Sequence, residues 1–164
     1  MDGLTIRPSV ASDRPNLRRA VIELQDHERS LHSSRRPGAE IADDYLAWML
    51  GQAGEKGAAL IAEIDGAFAG FVAGWIEITE NIAETPESNR FGYVSDVCVL
   101  PAYRGRRVAS RLLEAMERHF HGAGVARIRM WSLAVNRAAR AAYERSGYRA
   151  YEVLYEKLVD PDGL

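Results

Sequence analysis

The sequence has almost no cysteine and almost no lysine. Its one cysteine, Cys98, excludes an internal disulfide and any cysteine-rich metal site, and fits a reducing cytosol. Only Lys56 and Lys157 are lysine, so nearly all the positive charge is arginine. A formal net charge of -2 provides no basic field for nucleic acid. No apolar run approaches the roughly 20 residues needed to span a bilayer, and the opening MDGLTIRPSVASD is polar, with no apolar signal core. A cytoplasmic protein without a membrane partner is expected. The chain also lacks a Gly-Lys-Ser/Thr turn and GxGxxG glycine spacing, which argues against a nucleotide kinase or a dehydrogenase. Asp26, His27, Glu28 and His32 offer weak metal chemistry. His27 and His32 do not stack on one helical face, and no carboxylate cluster completes a ligand set, so no metal is expected. There is no repeat, low-complexity tract or linker. At 164 residues, 47% apolar and 27% charged, the chain reads as a single globular domain spanning 1–164.

What is present is concentrated in Val94–Glu117. Val94, Val97, Cys98 and Val99 make a β-branched, apolar run that stops at Leu100-Pro101. Val108, Ala109, Leu112, Leu113, Ala115, Met116 and Phe120 then recur at helical spacing. Between them lies Tyr103-Arg104-Gly105-Arg106-Arg107. Gly105 permits a tight turn with close backbone approach. The first N–H groups of the helix have no intrahelical partner and sit at its positive end. Three arginines add charge-assisted donors. On residues alone this is either a phosphate or pyrophosphate site or a solvated basic turn before a core helix.

The rest reads in order. Leu4–Arg7 is a short strand. Ser12-Asp13 caps a first helix with Pro15 in its first turn and Leu17, Ala20, Val21 and Leu24 facing inward. Gln25–Ala39 reads as a frayed helix end and loop. Ile41–Leu50 is a second helix, ended by Gly51 and Gly54. Ala58–Ile64 and Ala67–Thr79 form a hairpin about Asp65-Gly66. Gly70 and Gly74 suggest a bend or a close backbone approach. Thr79–Arg90 carries Glu80, Glu84 and Glu87, with Glu77 just before it. This is either a solvated loop or a lip attracting a cationic substrate. Ala126–Leu133 is an alternating strand, parallel to the central one in a right-handed βαβ unit. Asn136 caps a short helix that Gly147 ends. Tyr148–Leu158 reads as one or two final strands, and Pro161–Leu164 as a disordered tail.

These residues carry a resemblance. Val97-Cys98-Val99-Leu100-Pro101-Ala102-Tyr103-Arg104-Gly105-Arg106-Arg107-Val108-Ala109 resembles the acetyl-CoA motif of the GNAT superfamily of N-acetyltransferases, Gln/Arg-x-x-Gly-x-Gly/Ala after a Val-x-Pro strand end. Asn136, Ala139, Tyr143 and Gly147-Tyr148 resemble the second family signature. The resemblance spans Leu4 to Leu158. It implies an α/β (α+β) fold with a mixed, mostly antiparallel twisted sheet, a central parallel strand pair and flanking helices. It also implies acetyl-CoA as co-substrate. Backbone groups of Val97 and Val99 would pair with the pantetheine arm. The N–H groups of Arg104, Gly105, Arg106, Arg107, Val108 and Ala109, reaching Ser110, would cradle the pyrophosphate. Asn136 would contact the cofactor arm. Tyr143 would stand near the thioester sulfur as general acid. Arg107 replaces the motif's middle glycine, which a side chain tolerates if φ stays negative.

The general base is open. Some family members use a glutamate on the central strand at the position that is Tyr93 here. Asp96, Glu77, Glu80 and water-mediated deprotonation remain. Cys98 reads as a packed thiol, since Val97 and Val99 supply no activating base. The expected activity is acetyl transfer to a primary amine in a ternary complex. The acidic loop points to a small cationic molecule such as a polyamine, an amino acid derivative or an aminoglycoside. A protein or peptide N-terminal acetyltransferase and a non-catalytic acyl-CoA sensor are the alternatives. The exposed final strands can pair across a homodimer.

Overall fold

The computed structural model describes residues 3–159, so the expected tail Pro161–Leu164 lies outside the described residues. The elements are β1 (Leu4–Pro8), α1 (Arg14–Leu31), α2 (Gly38–Lys56), β2 (Gly57–Ile64), β3 (Ala67–Ile78), β4 (Arg90–Val99), α3 (Val108–Gly122), β5 (Ile128–Met130) and α4 (Arg137–Arg145). The sheet runs β1-β2-β3-β4-β5. It is antiparallel as far as β4 and parallel between β4 and β5, which is the mixed α/β architecture expected. Helices α1 and α2 cover one face, burying Leu17, Leu46 and Met49 against Phe71, Trp75 and Cys98. Helix α3 covers the other, with Leu112, Leu113, Met116 and Phe120 against Val72 and Val94.

Local chemistry explains the connections. Asp65 and Gly66 both take positive φ, 51° and 78°, the conformation of a two-residue hairpin turn matched to strand twist. Gly70 and Gly74 are close approaches. A Cβ there would lie 2.3 Å from the Cys98 carbonyl oxygen and 2.6 Å from that of Tyr93. Asp13 precedes α1 but does not cap it with its side chain. Its carboxylate accepts from Arg7 at 2.7 and 2.8 Å and from the Val10 N–H at 2.8 Å, fastening β1 to the turn before α1.

Four expectations need correcting. Helix α1 continues to Leu31, and the connecting loop is short. Asp26 near its end accepts the Gly38 N–H at 2.7 Å and so fastens the start of α2. Helix α2 runs through Gly51 and Gly54 to Lys56, because the buried stripe of Leu46, Met49 and Ala53 continues past them. Strand β5 has only three residues, since β4 and β5 separate after Met130. Residues 149–159 form no strand. Their alternating side chains are instead exposed, and the segment is held by side chains. Tyr151 donates to Glu84 at 2.7 Å and His32 lies 3.1 Å from Glu156.

Candidate active site

The site is built where β4 and β5 part. They pair from Gly92↔Ile128 to Val94↔Met130 and no further. Beside this point the β3–β4 register shifts between Ala73 and Gly74, and Ser95 is left without a partner on β3. Beyond it β4 has a strand on one side only. The Leu100 N–H points to Ala69 on β3. Strand alternation therefore turns the N–H and C=O groups of Val97 and Val99 to the open side. The Val99 carbonyl there accepts Arg104 Nε at 3.0 Å.

The turn after β4 ends this opening. Pro101–Tyr103 make one 3-10 turn, in which the Arg104 N–H reaches the Pro101 carbonyl at 3.3 Å. Arg104 extends back across α1 to Glu23, at 3.0 Å. Its backbone N–H and its guanidinium are therefore both engaged, and the free run starts at Gly105, one residue later than the motif suggests. From Gly105 to Ser110, no backbone N–H donates to a group among the described residues. Gly105 has φ 74°, and a Cβ there would touch nothing within 4 Å. Arg107 also takes positive φ, 59°, as the residue preceding α3. The condition that φ stays negative is therefore not met. Arg107 takes a left-handed conformation open to glycine while carrying a side chain, at a cost of about 1–2 kcal/mol. Its exposed side chain joins Ser110, Arg111 and Glu114 in lining a groove of about 340 Å³. Within it Arg111 is paired to Glu114 at 2.7 Å, which leaves Arg107 as the cation placed to meet an anion there.

Helix α4 packs beside the start of α3. Asn136 caps it by accepting the Ala139 N–H at 3.1 Å, and Ser146 Oγ reaches Ser110 Oγ at 3.4 Å. Tyr143 is half-buried and packs against the buried cluster under α3, the cluster that Val97, Val99 and Met130 also border. Burial pushes its phenol up to about 12, helped by the charges of Glu28 and Asp96. It is a protonated donor across the neutral range.

Asp96 faces the other side of β4, toward α2, and is 5% exposed. Tyr45 donates to both its oxygens at 3.0 Å, and Ser95 donates to Oδ2 at 2.7 Å. Burial raises its carboxyl from 3.8 to about 6, against the lowering effect of those two hydroxyls. A carboxylate poised near neutrality suits proton transfer. Glu77 is engaged by Trp75 Nε1 at 2.6 Å, and Glu80 is exposed on the loop. Glu84 is not an open lip. It accepts from Ser88 and Tyr151 and lies 3.6 Å from Arg129. Cys98 is buried, donates to the Ala20 carbonyl at 3.4 Å, and its thiol is pushed up to about 12 by burial. Tyr45, Ser95 and Glu23 were missed by sequence reasoning. Tyr45 and Glu23 look like ordinary helix residues, and nothing in a linear pattern marks Ser95 as the extra residue of a bulge.

Comparison with known proteins agrees with this geometry. The sequence profile of the acetyltransferase (GNAT) family matches residues 20–148. An "uncharacterized N-acetyltransferase" of Archaeoglobus fulgidus is 30% identical over 117 residues, which is 66% of this chain and 70% of that protein. A GCN5-related N-acetyltransferase from Ralstonia eutropha JMP134 has a TM-score of 0.75 at 18% identity, covering 95% of this chain and 99% of that one. The aminoglycoside N-acetyltransferase AAC(6')-Iy in complex with CoA has a TM-score of 0.69 at 20% identity, covering 94% of each chain. At these identities the two structures speak to the fold. The profile match and the archaeal relative establish that this chain belongs to the GNAT family of N-acetyltransferases.

Proposed function

We propose that this enzyme transfers the acetyl group of acetyl-CoA to a primary amine of a small cationic molecule, by direct attack in a ternary complex. One observation carries the reading. The N–H run Gly105–Ser110, without partners among the described residues, follows closely on the open edge of β4, the strand that carries Asp96, and Tyr143 packs against the same buried cluster as Val97 and Val99. The CoA in the similarly folded aminoglycoside N-acetyltransferase supports the same co-substrate.

Acetyl-CoA, when bound, supplies an activated thioester. Each residue then has a task. The N–H groups of Gly105–Ser110 hold the pyrophosphate, with Arg106 and Arg107 beside them. Val97 and Val99 pair with the pantetheine arm like an added strand, and Asn136 borders that arm. The Val97 N–H polarises the acetyl carbonyl. Asp96 receives the amine's proton through the Ser95 hydroxyl as the new carbon–nitrogen bond forms. Tyr143 donates a hydrogen bond to the sulfur as the carbon–sulfur bond breaks. At about 12 the phenol holds its proton more tightly than a thiolate near 8.5 would, so it stabilises the leaving group rather than fully protonating it.

Calorimetric titration of acetyl-CoA tests the site. Proline cannot adopt the φ of 74° at Gly105. The Gly105→Pro variant should bind acetyl-CoA at least about tenfold more weakly, with unchanged far-UV circular dichroism. Unchanged affinity would remove the turn from the site.

A further inference from the structure

A row of aromatic rings crosses the sheet on the α1/α2 face, contributed by each element in turn. Tyr45 and Trp48 come from α2, Trp75 from β3, Tyr93 from β4, and Trp131 from the residue that follows β5. Successive ring centroids lie 5.4, 5.2, 5.2 and 4.7 Å apart, in tilted or edge-to-face contact. Such contacts hold the rings in fixed orientations. Trp75 is buried, but Trp48 is 48% and Trp131 63% exposed. Two indoles on separate elements are therefore open to solvent, although each has a packed aromatic neighbour.

The row is continuous with the proposed reaction centre at both ends. Tyr45 donates to Asp96 at 3.0 Å. Tyr93 and Trp131 lie where β4 and β5 part, since pairing ends at Val94↔Met130. The carboxylates beside the row are few, and Arg129 shares this face, its guanidinium 4.4 Å from the Phe91 ring. Glu77 is fixed beside the row by Trp75 Nε1 at 2.6 Å. Asp96, Glu77 and Glu28 all raise the Tyr93 phenol, after burial itself. Glu84 is already engaged by Arg129, Ser88 and Tyr151, and Glu28 by Arg35 at 2.9 Å. Aromatic faces beside an anchored carboxylate favour a single cationic centre on an apolar body. A polycation would need more open carboxylates, and a polyhydroxylated one would need more hydrogen-bonding groups than indoles supply.

We infer that this aromatic row is the acceptor subsite, and that it takes a monoamine whose primary ammonium is carried on an alkyl or aryl skeleton. The apolar body packs on Trp48 and Trp131, with Glu77 facing the ammonium. The inference rests on acetyl transfer to an amine being the reaction, so its test reads binding apart from turnover.

Tryptophan fluorescence titrations with 2-phenylethylamine, hexylamine, spermidine and kanamycin, on the enzyme saturated with CoA, distinguish the acceptors. The first two should give saturable changes at lower concentration than the last two. Trp131→Ala and Trp48→Ala should each weaken 2-phenylethylamine by about tenfold, as expected for lost apolar packing on an indole. Trp131→Phe should recover most of that loss, and CoA affinity should stay within about twofold throughout. Tighter binding of spermidine or kanamycin, or alanine variants that bind 2-phenylethylamine as wild type does, would overturn the inference. If the alkyl amines bind as stated but release no free CoA from acetyl-CoA, the subsite stands and acetyl transfer falls.

Discussion

Replacing Asp96 by asparagine probes the proposed proton acceptor and the fold together. Asp96 is almost wholly buried, and its carboxyl is raised from 3.8 to about 6. The folded state therefore prefers the protonated form. Because folding raises this pKa, the stabilisation is complete below 3.8 and is lost as pH rises through about 6. Between pH 5 and pH 8 the wild type should lose roughly 1–2 kcal/mol from this group alone. For a chain of this length that is a fall in Tm of roughly 3–6 °C. The Asp96→Asn variant keeps a neutral acceptor for Tyr45 and Ser95, so this part of the pH dependence should vanish from it. Thermal melts of both proteins at half-unit pH steps give the difference directly. The same variant should lose about 10²–10⁴ in kcat, together with the acid limb near pH 6 in kcat/KM. A wild-type-minus-variant Tm difference that stays flat from pH 5 to 8 would refute the burial argument. An unchanged rate profile would refute the proton-acceptor role while leaving the burial argument in place.

Other expectations follow from the same geometry. Tyr143→Phe should lower kcat by about 10²-fold, with acetyl-CoA affinity unchanged by calorimetry, because only a hydrogen bond to the leaving sulfur is lost. Arg107→Gly removes a left-handed side chain, and the larger freedom of glycine in the unfolded chain offsets part of the gain. A net rise in Tm of about 1–3 °C is expected in a thermal melt. Residues 149–159 expose Tyr151, Val153, Leu154, Tyr155 and Leu158. We therefore expect a homodimer in light scattering that Val153→Asp with Tyr155→Asp converts to monomer, whereas a monomeric wild type would reject that expectation.

Much of the site was legible in the sequence because its parts are local. The strand, turn and helix from Val94 to Glu117 occupy consecutive residues, and Asn136 caps α4 three residues away, at Ala139. Where tertiary contact decides, the linear pattern failed. Gly51 and Gly54 look like helix ends, yet a Cβ at either would meet nothing within 4 Å, and the opposite stripe carries α2 onward at only about 1 kcal/mol each. Tyr148–Leu158 alternates as a strand does, but β5 is three residues long and gives it almost no edge to pair with. The positive φ of Arg107 breaks a rule that residue type alone suggests. The aromatic row draws on residues from Tyr45 to Trp131, and no periodicity joins them.

The most direct test of acetyl transfer is the release of free CoA thiol from acetyl-CoA, followed in time with and without a panel of primary amines. Amine-dependent thiol release, matched mole for mole by N-acetylated product and slowed by Gly105→Pro and Tyr143→Phe, is the predicted result. Acetyl-CoA that binds yet releases no thiol with any amine would contradict it and leave an acyl-CoA-binding protein in its place.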